Sequence, residues 1–293
     1  MINYTGKTHK LLPFLLPAFL VYAVFSVFPI ISTLYLSVFR WDGIDPPQFV
    51  FLSNFVELFS DRAFQRALLN SGGFVLVEFV VKLPVALVLA YLLTLKTTRL
   101  KKTLRFVFFL PCVISAAAVG LMWQLIYDQD IGALNAFLET IGLANLKTNW
   151  IGGDLRLLFV TLPTIAGSVG FMFVLYSAGL SAVPQELYDS ADIDGANKRI
   201  QFFRISIPYI ANVIIMTAIL GFTGAITQFE IPYFLWVQKF GGVAIDHVLG
   251  TLMYARAFQY FRFGLSTAIS VFMFAVSLAV LGGLRALDRK VSY

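Results

Sequence analysis

The sequence predicts an all-α membrane protein with six transmembrane helices, and three observations lead to this fold class. Hydrophobic residues make up 59% of the chain and charged residues 13%, whereas a soluble globular protein carries about 25% charged residues. The mean hydropathy is +0.81. The apolar residues fall in six long blocks, and a transmembrane helix needs about 20 mostly apolar residues to cross a hydrocarbon layer about 30 Å thick.

The six blocks predict an N-terminal helix over 11–38 and a core bundle over 69–287, in a single transmembrane domain over 1–293. The first block is too long for a signal peptide and lacks a small-residue cleavage site, so we expect it to remain as a helix. Pro84 and Pro163 lie inside blocks and predict kinked, packed helices, because neighbours must satisfy the carbonyls that a proline frees. The predicted spans are Leu11–Val38, Leu69–Leu95, Leu104–Tyr127, Arg156–Leu180, Ile207–Thr227 and Phe263–Leu287.

The distribution of Lys and Arg predicts the orientation, because cytoplasmic connections of membrane proteins carry an excess of these residues. With the N-terminus inside, thirteen of them fall in inner segments and eight in outer ones. The connection from Lys96 to Arg105 is the shortest and holds five bases and no acid. Both termini are therefore expected in the cytoplasm, with outer connections at Phe39–Leu68, Asp128–Leu155 and Gln228–Arg262.

Several function classes find no support in the sequence. Cys112 is the single cysteine, and His9 and His247 lie far apart, so neither a disulfide framework nor a metal site is expected. The net charge is +6, but the sequence contains no soluble segment in which basic and aromatic residues are interleaved. This argues against nucleic-acid binding. Gly6-Lys7-Thr8 resembles the end of a phosphate-binding loop but lacks its first glycine, so the chain is not its own ATPase. We expect no catalytic residues and no cofactor.

The longest inner connection, residues 181–208, is the one with an organised sequence. Pro184 suits the start of a helix, and Glu186 in its first turn is favourable for the helix dipole. Gly195 can supply the left-handed residue that ends this helix. A second helical stretch, Asn197–Arg204, then leads into the next span. A short surface helix is marginal alone in water, so the 181–208 loop is predicted to dock on a partner.

The loop resembles the EAA loop of binding-protein-dependent ABC importers. That pattern is Glu-Ala-Ala, three residues, Gly, nine residues and Ile-x-Leu-Pro. Here Asp189-Ser190-Ala191 hold the first three places, Gly195 has the correct spacing, and Ile205-Ser206-Ile207-Pro208 closes the motif. Asp for Glu, Ser for Ala and Ile for Leu are departures that keep the spacing.

The resemblance implies a MetI-like ABC importer permease fold, in which this loop forms a coupling helix that sits in a cleft of an ATPase subunit. It implies as partners a second homologous permease subunit, two ATP-binding-cassette ATPase subunits, an extracytoplasmic solute-binding protein and membrane lipid. The residues expected at the ATPase contact are Glu186, Asp189, Ser190, Ala191, Asp194, Gly195 and Ala196.

Features along nearly the whole chain are similar to the sugar-type permeases, the maltose and glycerol-phosphate importer group. They include Arg40-Trp41-Asp42-Gly43 and Ser53-Asn54-Phe55, while Gly241-Gly242-Val243 departs from a Gly-Gly-Pro segment. The resemblance therefore implies a multi-pass protein of a prokaryotic cytoplasmic (inner) membrane that imports a sugar or oligosaccharide. An importer of glycerol phosphate or an amino acid, or a secondary transporter, remains the alternative.

Polar residues in or near the spans are candidates for the substrate pathway. Glu78 and Lys82 lie four residues apart in the second span, where charges are costly and face a partner or a wet cavity. Two interpretations stay open: an ion pair that holds helices together, or groups beside the pathway that contact sugar hydroxyls or repel anions. The full set of candidates is Glu78, Lys82, Gln124, Gln228, Glu230 and Tyr233.

Overall fold

The computed structural model describes residues 8–94, 98–153, 155–238 and 247–291 of the chain. Gly241–Val243, the segment that departs from the sugar-permease pattern, lies outside these residues. The α-helices are Thr8–Tyr22, Phe28–Leu36, Ser53–Ser60, Arg62–Val77, Leu83–Thr94, Thr98–Phe109, Ala116–Ile126, Ala133–Thr140, Arg156–Ser181, Gln185–Ile193, Lys198–Gln201, Ile207–Tyr209, Ala211–Ile226, Glu230–Pro232, Leu249–Tyr254 and Phe263–Val291. The π-helical turns are Ala23–Val27, Glu78–Lys82, Phe202–Ser206, Tyr233–Gln238 and Ala255–Gln259, and the 3-10 turns are Leu110–Val113 and Ala144–Leu146.

Within the described residues, five helices are long and apolar enough to cross a membrane, and the number is six if one bent pair counts as a span. This agrees with the six predicted spans. The five helices are Phe14–Leu36, Arg62–Thr94, Arg156–Ser181, Ala211–Val237 and Phe263–Ala286.

The third predicted span, Leu104–Tyr127, is the bent pair. Lys102–Val113 and Ala116–Ile126 meet at an angle of 88°. The backbone is extended at Ser115, whose side chain accepts a hydrogen bond from the Ala118 N–H and so begins a new helix. Pro111 lies in the 3-10 turn before the break, where it cannot donate to a helical ladder. Average hydropathy does not register such a break.

The described residues form two compact units. The first contains the described residues up to Asp61 together with Met253–Phe272. In it, strand Phe39–Arg40 pairs antiparallel with strand Gln48–Phe49. Asn54 is 3% exposed, and its amide donates to the carbonyls of Ser37 and Phe39, each at 2.8 Å.

The second unit, Arg62–Leu252 with the residues from Met273 onward, contains the helix packing that positions the candidate sites. Helices Arg62–Thr94 and Arg156–Ser181 pack along each other around Ala86, Ala90, Phe173 and Tyr176, all nearly inaccessible. Small residues on one helix and aromatic residues on the other allow a close approach of two apolar surfaces.

The predicted outer connection Gln228–Arg262 holds more structure than its sequence indicates. It contains helical segments Glu230–Pro232, Tyr233–Gln238 and Leu249–Gln259, the last as an α-helix followed by a π turn. Leu235, Trp236 and Leu249 are at most 1% exposed. These three residues of the connection are therefore part of the core of the second unit rather than of a surface loop, because their large apolar side chains are removed from solvent.

Candidate functional site

The first half of the 181–208 loop is a short helix with a defined end. The helix Gln185–Ile193 begins after Pro184 and carries Glu186 in its first turn, as the sequence predicts. Gly195 has φ of +75° and follows the helix. The Ala196 N–H donates to the Ala191 carbonyl at 2.8 Å, and the Gly195 N–H donates to Asp192 at 3.1 Å. These two bonds form a Schellman motif, in which a left-handed residue ends the helix.

The second half of the loop runs back toward the membrane as a continuous helical segment. Asn197 caps it, because its side chain accepts from the Ile200 N–H at 2.9 Å. The segment continues through a π turn to Tyr209, further than the predicted stretch Asn197–Arg204. The 181–208 loop is thus helix, glycine turn, helix, as expected.

A polar network joins the two halves. Gln201 is 1% exposed, and its Nε2 donates to Asp192 Oδ1 at 2.5 Å and to the Ala196 carbonyl at 3.1 Å. Lys198 Nζ lies 3.0 Å from the same Asp192 oxygen. The hydrogen bonds from Lys198 and Gln201 hold the pKa of the Asp192 carboxyl below its usual value. The network fixes the angle between the two helices.

The loop is also attached to the transmembrane helices. The Tyr91 hydroxyl, near the end of Arg62–Thr94, donates to the Lys198 carbonyl at 2.7 Å. The Tyr91 ring packs on Phe202 with 4.4 Å between centroids. The hydroxyls of Tyr188 and Ser206 lie 2.9 Å apart. Tyr91 therefore connects the loop to the transmembrane helix Arg62–Thr94, whereas the Tyr188–Ser206 contact joins the two halves of the loop.

The seven residues predicted at the ATPase contact lie together on this loop. Ala191 and Ala196 are half-buried, and the other five are exposed. Ile193 is 88% exposed beside them, although the sequence reasoning did not single it out. An isoleucine at the end of a short acidic helix is the signal that would have identified it, since an exposed apolar residue beside a motif favours a contact surface.

A cavity of about 710 Å³ lies among the transmembrane helices of the second unit. Four predicted pathway residues line it: Glu78, Lys82, Gln228 and Glu230. The other two, Gln124 and Tyr233, are not among its lining residues. Tyr233 instead stacks on Phe229, with ring centroids 5.1 Å apart.

The charged pair in the cavity wall lies on one π-helical turn. Lys82 Nζ is 2.5 Å from Glu78 Oε2 and 3.2 Å from Ser168 Oγ of helix Arg156–Ser181. Glu78 and Lys82 are 5% and 6% exposed. A β-carbon at Gly221 would lie 2.5 Å from Glu78 Oε1, so the glycine leaves room for the carboxylate.

Thr164 and Ser168 add hydroxyl groups to the cavity, and the sequence reasoning did not assign Thr164 to a site. Its Oγ1 is buried without a hydrogen-bond partner among the described residues. The arrangement offers hydroxyl, amide and carboxylate groups within a largely apolar wall. Such a mixture suits a small ligand with hydrogen-bonding groups.

Comparison with known proteins gives a family match over residues 82–293, to the model described as "Binding-protein-dependent transport system inner membrane component". The probable ABC transporter permease protein YurN of Bacillus subtilis is 36% identical, covering 93% of this chain and 94% of its own length. The arabinooligosaccharides permease AraP of Bacillus subtilis is 30% identical, and the alignment covers 91% of this chain and 84% of AraP. The trehalose/maltose permease MalF of Thermococcus litoralis is 30% identical, and the alignment covers 90% of this chain and 88% of MalF.

Two solved structures share the fold. The first is described as a bacterial ABC transporter involved in the import of the acidic polysaccharide alginate, and the second as a bacterial alginate ABC transporter in complex with an alginate pentasaccharide-bound periplasmic protein. The TM-scores are 0.84 and 0.85, at 22% and 21% identity. The matches cover 97% of this chain and 96% of the other in the first case, and 99% and 98% in the second. The expected fold is thereby confirmed.

Proposed function

Since the chain belongs to the binding-protein-dependent ABC transporter permeases, the inner membrane components of these systems, we propose that it carries a sugar or oligosaccharide across the cytoplasmic membrane. The observation that supports this substrate class most is the pair of relatives named for arabinooligosaccharides and for trehalose and maltose, each 30% identical over about nine tenths of the chain. The cavity is compatible with it, because sugar hydroxyls require hydrogen-bonding groups such as those of Thr164, Ser168 and Gln228.

The energy for transport comes from separate ATPase subunits, and the 181–208 loop is where one of them docks. The exposed helix Gln185–Ile193 and Gly195 form the contact surface, supported by the motif spacing and by the exposure of these residues. The chain itself is a transport subunit and not an enzyme. A second homologous permease, a second ATPase and an extracytoplasmic solute-binding protein complete the importer.

The mechanism is alternating access. Closure of the ATPases on ATP displaces the 181–208 loop, and the contacts of Tyr91 with Lys198 and Phe202 carry this displacement to the transmembrane helix Arg62–Thr94. The cavity lined by Glu78, Lys82, Gln228 and Glu230 then opens to the other side of the membrane. Both termini lie in the cytoplasm in this scheme, which places the loop on the ATPase side.

Uptake of labelled oligosaccharides in source cells that lack this chain tests the proposal. We expect the loss of uptake of at least one neutral oligosaccharide and its recovery on expression of the wild-type chain. Affinity purification through a tag on the chain should also recover an ATPase. Unchanged uptake of the whole oligosaccharide panel would contradict the substrate class. Sugar uptake that persists without any associated ATPase would instead favour a secondary transporter.

A further inference from the structure

The charges in the wall of the cavity are unequal. Among the described lining residues, the ionisable acids and bases are Glu78, Lys82 and Glu230, which leave one formal negative charge uncompensated. Most of the remaining wall is apolar, with the hydroxyls of residues such as Thr164 and Ser168. A charge acts more strongly in such surroundings than in water, because the effective dielectric constant is lower.

The Glu78–Lys82 pair does little to hold helices together. Both residues belong to the same helical turn, so their ion pair joins no two helices. Among the described residues, the polar link of the pair to another helix is one hydrogen bond, from Lys82 Nζ to Ser168 Oγ at 3.2 Å. Burying two charges within a membrane protein is costly, and an ion pair in one helix recovers only a part of that cost. Its position in the cavity wall indicates a role in the cavity.

Lys82 carries the one ammonium group among the lining residues that the structure describes, and its Nζ lies 2.5 Å from Glu78 Oε2. The second oxygen of Glu78, Oε1, has no hydrogen-bond donor among the described residues. It faces the backbone of Gly221, which brings no donor side chain. The carboxylate is therefore only partly compensated, and Glu230 adds a second carboxylate to the same wall.

Resting on the proposed function, we propose that this wall makes the permease select uncharged or cationic carbohydrates and reject anionic ones. A uronate or a sugar phosphate would enter beside the buried carboxylate of Glu78 and the exposed carboxylate of Glu230, with the ammonium group of Lys82 already paired, and like charges brought together oppose binding. Neutral hydroxyl groups meet no such repulsion, and an amino sugar is attracted. The fold alone does not decide this property, because the alginate importer with the same fold is described as taking an acidic polysaccharide.

Three disaccharides with the same linkage test the proposal directly: cellobiose, cellobiouronic acid and the fully deacetylated chitosan disaccharide. The importer is purified through a tag on this chain, placed in lipid nanodiscs and titrated with each disaccharide in a calorimeter. The solute-binding protein is left out, because its own specificity would otherwise be measured. For the wild type we expect cellobiouronic acid to bind at least tenfold more weakly than cellobiose. The chitosan disaccharide should bind at least as tightly as cellobiose.

A series of variants changes the charge of the wall in steps. Glu230→Gln makes the net charge of the wall zero, and the double variant Glu78→Gln with Glu230→Gln makes it +1. At each step the affinity for cellobiouronic acid should rise about tenfold relative to the affinity for cellobiose. Glu78→Leu with Lys82→Met removes the pair but keeps the net charge, and should still reject the anion. Glu139→Gln, at an exposed surface ion pair, is the matched control and should change nothing.

The outcomes separate the two proposals. Equal binding of cellobiose and cellobiouronic acid to the wild type, or a charge series without effect, overturns the selectivity while leaving carbohydrate transport intact. Failure of every disaccharide to bind, combined with unchanged oligosaccharide uptake in cells that lack the chain, overturns the proposed function and the selectivity with it. If size-exclusion chromatography shows that the Gln variants of Glu78 and Glu230 do not fold, the variant Glu78→Leu with Lys82→Met still tests the proposal.

Discussion

Gln201 and Asp192 bind each other across the turn of the 181–208 loop, with 2.5 Å between the amide Nε2 and the carboxylate Oδ1. Gln201 is 1% exposed although it lies in a surface loop, and it also donates to the Ala196 carbonyl next to Gly195. One side chain thus ties the end of the first helix to the beginning of the second. This bond holds the surface on which we propose that the ATPase docks.

Replacement of Gln201 by Leu should loosen the loop. The change removes the hydrogen bond to the exposed Asp192 carboxylate and the one to the Ala196 carbonyl, which contributes about 0.5–1.5 kcal/mol. We expect faster hydrogen exchange over residues 185–205 and reduced uptake per ATP hydrolysed. Lys198→Ala is the comparison variant, because it removes an exposed ion pair with Asp192 and one hydrogen bond to Gln201 Oε1 but leaves both bonds that Gln201 donates across the turn. Equal effects of both variants would contradict a specific role of Gln201 in holding the two helices of the loop together.

Substitutions at Gly195 should follow the cost of a positive φ rather than side-chain size. Its φ is +75°, and an added β-carbon would meet no atom of the described residues within 4 Å, so within this chain only backbone strain opposes a side chain. That strain is about 1–2 kcal/mol for most residues, less for Asn and more for β-branched residues. Uptake should fall in the order Gly, Asn, Ala, Val, with the Val variant inactive but still present in the membrane. Normal uptake by the Val variant would contradict the docking proposal.

Ile193 should contribute to ATPase affinity. It is 88% exposed at the end of the helix Gln185–Ile193, and burying such a side chain in a partner is favourable. We expect Ile193→Glu to weaken co-purification of the ATPase at least tenfold, which corresponds to about 1.4 kcal/mol. The matched control is Ile131→Glu, because Ile131 is 81% exposed in a predicted outer connection. Loss of the ATPase in the control alone, or in neither variant, would reject the assignment.

Asn54 should matter for the stability of the first unit and not for substrate choice. Its amide donates to two backbone carbonyls at 2.8 Å, from a position that is 3% exposed. Asn54→Ala leaves the buried carbonyl of Ser37 and the partly buried carbonyl of Phe39 without this donor, at a cost of about 1–3 kcal/mol. Thermal unfolding in detergent should show a lower midpoint, whereas Asn145→Ala, at an exposed residue, should leave it unchanged. A midpoint that Asn54→Ala does not alter would mean that other donors satisfy the carbonyls.

Much of the architecture follows from local patterns. The spans at Arg62–Thr94 and Arg156–Ser181 are predicted well because long apolar blocks in lipid must form helices that satisfy their own backbone. The end of the helix at Gly195 is predicted because few residues other than glycine take a left-handed conformation without strain. Both are short-range properties of the chain.

The 88° bend before Ala116 was missed for the opposite reason. The window that contains it is apolar on both sides, and hydropathy measures composition, not direction. Leu-Pro followed by Ser115 was a readable sign, since Pro111 interrupts a helix and a serine begins one. Trp236 and Leu249, buried in a predicted outer connection, had no comparable signal, because their burial depends on partners distant in sequence.

By itself the sequence determined the membrane class, the approximate spans, the helix–glycine–helix loop and the candidates at Glu78, Lys82, Gln228 and Glu230. The tertiary structure alone decided that these four line one cavity, while Gln124 and Tyr233 do not. The physical reason is the distance along the chain over which each interaction acts. Propensity, capping and hydropathy act over a few residues, whereas a cavity forms where helices from distant parts of the chain converge, and the direction of each side chain depends on that packing.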